Sequence, residues 1–176
     1  MSDSILAICG SLRARSSNRI LLEAAQEVWG KSRLKIFATI ERIPPFNPDY
    51  DVDGAEHQSV ADLRNEIASA GAVLVSIPEY AHGLPGSFKN ALDWLVSTTV
   101  MSNKPVAVWA TTDRAIHAPA QLREVLTTMA ATIIEDASIF VPVCADASSA
   151  DALLEKPNIR SALLASLGLL TCSPHE

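Results

Sequence analysis

The sequence is poor in cysteine, and its three cysteines, Cys9, Cys144 and Cys172, form no Cys-x-x-Cys pair and no zinc-ligand spacing. That excludes a disulfide-stapled scaffold. Cys9 lies inside an apolar run and reads as a buried small hydrophobe. No apolar run approaches the roughly 20 residues of a membrane span. Asn-x-Ser/Thr acceptors are absent, and Met1 leads through polar Ser2-Asp3-Ser4 directly into a strand, without a signal-peptide pattern. Basic charge is also scarce: the net charge is −6, which excludes a general nucleic-acid or anionic-membrane surface. Nor is there a Gly-x-Ser-x-Gly elbow, a Walker loop or a Gly-x-Gly-x-x-Gly turn, which argues against a hydrolase or NTPase. These absences predict a reduced, cytoplasmic compartment.

What is present is one domain's worth of chain. Hydrophobic residues make up 48% of the 176 positions, enough for a sizeable core, and nothing marks a repeat or a boundary within 1–176. Ile5 to Cys9 form a short apolar run ended by Gly10, a buried strand. Ile20, Leu21, Ala24, Ala25 and Val28 then recur at helical spacing. Leu34 to Ala38 read as a second strand. Residues 41–55 hold Pro44, Pro45 and Pro48 and read as a long loop. Val60, Leu63, Ile67 and Ala70 give a helix stopped by Gly71.

Ala72 to Ile77 form a strand with no polar alternation, as burial on both faces requires. Phe88, Ala91, Leu92 and Leu95 give a third helix. Pro105 to Ala110 are a fourth strand, and Leu122, Val125, Leu126 and Met129 a fourth helix. A fifth strand is expected within 132–143, with Ile139 to Val143 as its core. Ile159, Leu163, Leu167 and Leu170 close the pattern, followed by a loose tail at 171–176. Five alternations of strand and helix predict an α/β fold: a parallel sheet sandwiched between two helical layers.

Three polar loops follow strands one, three and four. In the strand order 2-1-3-4-5 those strands are neighbours, so their loops line one crevice at the switch point. The first loop, Gly10 to Asn18, holds three serines, two arginines and an asparagine at the start of a helix. Hydroxyls, backbone N–H groups and a guanidinium there suit an anion, and an arginine adds bidentate geometry for phosphate. Ser and Asn also serve as plain helix caps, and the loop alone does not separate the two readings. Residues 1–35 carry six Lys/Arg against three Asp/Glu, while the remainder carries eight against seventeen. The basic part of the chain is therefore the part that holds this loop. His57, His117 and His175 have no ligand-like partners in sequence, so no metal site is read.

Two stretches resemble the NADPH-dependent FMN reductase family, a flavodoxin-like group with quinone, azo-dye and chromate reductases among its members. Gly10-Ser11-Leu12-Arg13-Ala14-Arg15-Ser16-Ser17-Asn18 matches its Gly-Ser-x-Arg-x-x-Ser-x-Asn signature. Pro78-Glu79-Tyr80-Ala81-His82-Gly83-Leu84-Pro85-Gly86 through Lys89-Asn90 and Asp93-Trp94 matches the second, except that Ala81 replaces an asparagine. Beyond residue 111 the chain departs from the family, with Asp113-Arg114-Ala115-Ile116 where many relatives carry a Gly-Gly-x-Arg-like loop.

The resemblance implies a flavodoxin-like three-layer α/β/α sandwich with a five-stranded parallel sheet. It implies FMN as cofactor, NADPH or NADH as hydride donor, and a ping-pong cycle ending on a small-molecule acceptor such as a quinone, flavin or azo compound. Ser11, Arg13, Ser16, Ser17 and Asn18 would hold the FMN phosphate. Pro78, Glu79, Tyr80 and Ala81 would run along the isoalloxazine ring largely through backbone groups, with His82 in the same loop and Thr111 and Thr112 at the ring's border. Asp113 and Arg114 stand at a strand's carboxyl end, where a ligand is in reach. Lys89, Asn90 and Asp93 would be structural, and Trp94 core or interface. Relatives form dimers or dimer pairs, which implies a homodimer or homotetramer. The competing function is an FMN-binding electron carrier or sensor without NAD(P)H turnover. Arg13 argues against it, since flavodoxin-type phosphate loops are rich in Thr and Gly.

Overall fold

Three apolar runs, Ile5–Cys9 (β1), Ala72–Ser76 (β3) and Pro105–Trp109 (β4), are buried along their whole length and form the centre of a parallel sheet. The computed structural model describes residues 4–52, 56–143 and 149–172. Leu34–Ile36 (β2) flanks β1 and Thr132–Ile133 (β5) flanks β4, giving the order β2-β1-β3-β4-β5. Ile5 to Cys9 pair in register with Ala72 to Ser76. This is the expected flavodoxin-like sandwich.

Side chains alternate along each strand, so the sheet feeds two cores. Leu6, Ile8, Val73, Val75, Val106 and Val108 pack on one face with Gln58–Ser69 (α2), Gly86–Asp93 (α3) and His117–Thr128 (α4). Ile5, Ala7, Cys9, Leu74, Ala107 and Trp109 pack on the other with Ser17–Trp29 (α1), Ala150–Leu154 (α5) and Pro157–Cys172 (α6). Cys9 is a core residue, as read from sequence. Cys144 lies outside the described residues.

The fifth strand is where the sequence reading needs correction. The regular strand is Thr132–Ile133, not Ile139 to Val143. A single helical turn, Glu135–Ala137, interrupts the chain after Ile134. Ser138 fills the gap: its hydroxyl accepts from Val108 N–H (3.0 Å) and donates to Ile134 C=O (3.0 Å). Trp109 Nε1 holds the turn by donating to Ala137 C=O at 2.9 Å. Ile139 to Val143 then runs beside the end of β4, through Ala110 N–H to Ile139 C=O and Val141 N–H to Ala110 C=O, without becoming a strand. Val143 N–H adds a longer bond to Thr111 C=O at 3.4 Å, beyond the end of β4.

Two smaller differences concern lengths. β2 stops at Ile36, two residues early, and Thr171 and Cys172 belong to α6 and not to a tail. Residues 173–176 lie outside the described residues. The helix α5 carried too short an apolar pattern to be read.

The long segment 41–52 is strapped down by residues of the second signature. Asn90 accepts from Phe46 N–H (2.7 Å) and donates to Pro44 C=O (2.8 Å). Trp94, fully buried, donates from Nε1 to the same carbonyl at 2.8 Å, and Phe46 packs edge-on against its ring. Lys89 and Asp93 pair one turn apart on α3. The structural roles read for Lys89, Asn90, Asp93 and Trp94 are all present.

Candidate cofactor site

The first loop leaves β1 at a crowded point. Gly10 continues the ladder by donating to Ser76 C=O at 2.9 Å. A Cβ on Gly10 would meet Ile77 Cγ2 at 2.6 Å and Phe88 Cγ at 3.4 Å, so only glycine lets the loop start here. Gly10→Ala is expected to cost about 1–3 kcal/mol through overpacking, measurable by urea denaturation, and to displace the loop that follows.

That loop turns into α1 on a cap. Ser16 is buried and its Oγ accepts from Arg19 N–H at 3.4 Å. Asn18, 3% exposed, accepts through Oδ1 from the Ser76 hydroxyl at 2.9 Å, which ties α1 to β3. The Ser17 hydroxyl reaches across to Thr111 Oγ1 at 3.2 Å and joins the first loop to the one after β4. The first turn of α1 holds no acidic residue. Among the described residues Arg13 takes part in no ion pair.

The second loop is fixed from both sides. Glu79 Oε2 accepts from His117 N–H (2.7 Å) and Ala118 N–H (3.0 Å), the open donors at the start of α4. Those two bonds, that to Ala118 foremost, hold the Glu79 carboxyl below the ordinary carboxylate range against a smaller opposing effect of burial. Glu79 is therefore ionised near neutrality and a cap for α4. Tyr80 and Gly83 exchange N–H to C=O bonds at 3.1 and 3.0 Å, closing a tight turn on Ala81 and His82. Both central residues are left-handed, with φ of 49° and 57°.

Asparagine adopts that conformation at less cost than alanine does. The family asparagine at position 81 thus has a backbone reason for being there. Ala81→Asn is expected to raise stability by about 0.5–1 kcal/mol, read as a higher Tm.

A crevice of about 410 Å³ opens where these loops meet, lined by Ser17, Asn18, Pro78, Glu79, Thr111, Thr112, Arg114, Ala115 and Val143. Six of these are residues singled out from the sequence as cofactor-binding. Ser11 and Arg13 instead line an adjoining hollow of about 390 Å³ on the β2 side, with Cys9, Arg19, Phe37 and Glu41. Tyr80, Ala81 and His82 stand exposed in the turn. Arg114 lines the crevice, and its N–H donates to Thr112 Oγ1 at 3.3 Å. Ala115 and Val143 were not anticipated, because no chemistry marks an alanine or a valine as a site residue. His117 received no partner from the sequence, yet its ring stacks on His82 with centroids 4.5 Å apart.

Fold and crevice define a doubly wound α/β domain of flavodoxin-like type, with a crevice outside the carboxyl ends of β1, β3 and β4, where such folds take their ligands. The family model for NADPH-dependent FMN reductases matches residues 4–146, and the chain belongs to that family. An NAD(P)H:quinone oxidoreductase from Solanum tuberosum is 35% identical over 109 residues, covering 60% of this chain and 53% of that protein. The chain spans 53–64% of the length of three curated relatives it matches. Among solved structures, FerB, a flavoenzyme NAD(P)H:acceptor oxidoreductase from Paracoccus denitrificans, superposes with a TM-score of 0.79 at 26% identity, covering 95% of this chain and 96% of that one. An archaeal flavodoxin shares the fold at a TM-score of 0.59 and 14% identity, covering 95% and 98%.

Proposed function

We propose that the chain is an FMN-dependent NAD(P)H oxidoreductase that passes electrons to a small acceptor of the quinone, flavin or azo class. The observation that carries this reading is the Ser17–Thr111 bond across the head of the crevice. It brings the helix start that suits a phosphate beside the loop after β4, so that both face one crevice. The donor set fits a phosphate monoester: Ser11 and Ser17 hydroxyls, the Arg13 guanidinium and the N–H groups opening α1. Ser16 and Asn18 act a step back, the first by capping α1 and the second by fixing it to Ser76.

Pro78 and Glu79 border the cleft on one side, and Thr111, Thr112 and Arg114 on the other. Tyr80, Ala81 and His82 line its approach. When bound, FMN supplies an isoalloxazine that accepts hydride from NAD(P)H and returns electrons to the acceptor. The protein's part is to bind, orient and exclude water, so no protein acid, base or nucleophile is assigned.

We further propose a single domain over 1–176, a cytoplasmic location and a homodimer or homotetramer. Among the described residues no helix is long and apolar enough to cross a membrane. Phe46, Tyr50 and Val52 keep apolar surface exposed, and the first two line a groove of about 710 Å³ with Pro44, Pro45 and Trp94. Light scattering reads the assembly.

The deciding measurement is an absorption spectrum of the purified protein before and after anaerobic NADPH. Flavin bands that bleach on addition support the reductase. Bands that persist favour an electron carrier or sensor. A colourless protein that does not retain added FMN removes both.

A further inference from the structure

The rim of the crevice carries a group of side chains that flavin chemistry does not use. A carboxylate oxygen of Glu79 and one ring nitrogen each from His82 and His117 lie within 4.8 Å of one another. They come from two separate segments, the turn after β3 and the first residue of α4. The backbone that carries each is fixed by its own contacts. The left-handed pair Ala81 and His82 fixes the turn. Glu79 is locked to α4 by its two backbone bonds, and both fall on one oxygen, Oε2. The two imidazoles stack with their planes 28° apart.

We propose that Glu79, His82 and His117 bind one divalent transition-metal ion of the zinc class at this rim. Two imidazoles and a carboxylate form the donor set of open zinc sites, in which three protein ligands leave a fourth position to water or a small ligand. Imidazole nitrogen selects zinc, cobalt, nickel or copper over magnesium and calcium, which take oxygen. Tetrahedral coordination with bonds of about 2.0–2.1 Å brings donors to about 3.3 Å from one another. His82 and His117 are exposed, so their χ angles can close the remaining gap without disturbing a core. Bound there, the ion ties the turn at 80–83 to the start of α4 and stands beside the mouth of the cleft. The site does not depend on the flavin reading.

The test is calorimetric titration of the full, untagged chain with Zn²⁺, and separately with Mg²⁺. One Zn²⁺ per chain is expected, reversed by a chelator, with no saturable heat from Mg²⁺. His82→Ala and His117→Ala should each weaken binding at least tenfold, and Glu79→Gln should do so while keeping an acceptor for α4. His57→Ala, at the cap of α2, should leave it unchanged. Histidine ring-proton NMR of the unaltered protein gives a second readout that needs no variant: Zn²⁺ should move the His82 and His117 resonances and spare His57. No saturable binding below millimolar Zn²⁺ overturns the proposal. So does binding that survives in both histidine variants, or resonance shifts at other histidines alone.

Discussion

Arg13→Ala is expected to weaken FMN binding roughly ten- to a hundredfold, the equivalent of one charge-assisted phosphate contact of about 1.5–3 kcal/mol. Ser11→Ala should cost less, because a neutral hydroxyl makes a weaker bond to phosphate than a guanidinium does. Fluorescence titration of the stripped protein with FMN, whose emission changes on binding, measures both. The two variants should be as stable as the parent, since Arg13 is exposed and Ser11 only half-buried. Arg13→Lys separates charge from geometry: a point charge restores part of the affinity, and the bidentate share stays lost. Equal affinity in Arg13→Ala and the parent would mean that the phosphate sits elsewhere. The hollow where Arg13 lies would then be a separate feature of the surface.

Arg64→Ala is expected to destabilise the protein by about 3–5 kcal/mol. The guanidinium lies buried under the 41–52 segment. It donates to Asp51 Oδ1 at 2.7 Å, to the Ser97 hydroxyl at 3.1 Å and to the Trp94 carbonyl, with Glu56 Oε1 at 3.9 Å. Side chains of Arg64 and Asp51 are 10% and 8% exposed, so neither charge has water to fall back on. Removing the cation strands Asp51 and releases the end of a strap whose other end is held by Asn90 and Trp94. Urea denaturation at neutral pH measures the loss.

Acid should mimic it in part. Burial pushes the Asp51 carboxyl up, but hydrogen bonds from Ser97 and Arg64 outweigh that and hold it below the ordinary carboxylate range. A carboxyl with a depressed folded-state pKa contributes its stability above the unfolded-state pKa and loses it as pH falls through the folded-state value. The pH dependence of stability should therefore steepen below about pH 4 in the parent and flatten in Asp51→Asn. An unchanged acid limb in Asp51→Asn would assign it to other carboxyls, Glu79 first, whose cap on α4 follows the same sign.

The sequence by itself determined the sheet and the place of the cleft. β1, β3 and β4 are runs without polar alternation, and strand-helix alternation admits few ways to bury such runs on both faces. Once their order is known, the loops after them must converge. Two signatures of fixed spacing then carried four of the nine cleft residues, Ser17, Asn18, Pro78 and Glu79, and the strap residues Asn90 and Trp94, because local spacing is what sequence records.

Only the tertiary structure decided where each side chain is spent. Ser16 and Asn18 read as ligand donors in the sequence, and the fold gives their oxygens a second task as acceptors, Ser16 from Arg19 N–H in the cap of α1 and Asn18 from the Ser76 hydroxyl, 58 residues away. Glu79 looks like part of a flavin loop, and its carboxylate caps a helix that starts 38 residues later. Ile139 to Val143 has a strand's composition, yet Ser138 takes the Val108 N–H and the segment meets the sheet only past the end of β4, at Ala110. His117 had no partner in sequence and gained two from a turn across the cleft's mouth. Each of these outcomes depends on a contact between distant segments, and no local pattern of residues encodes such a contact.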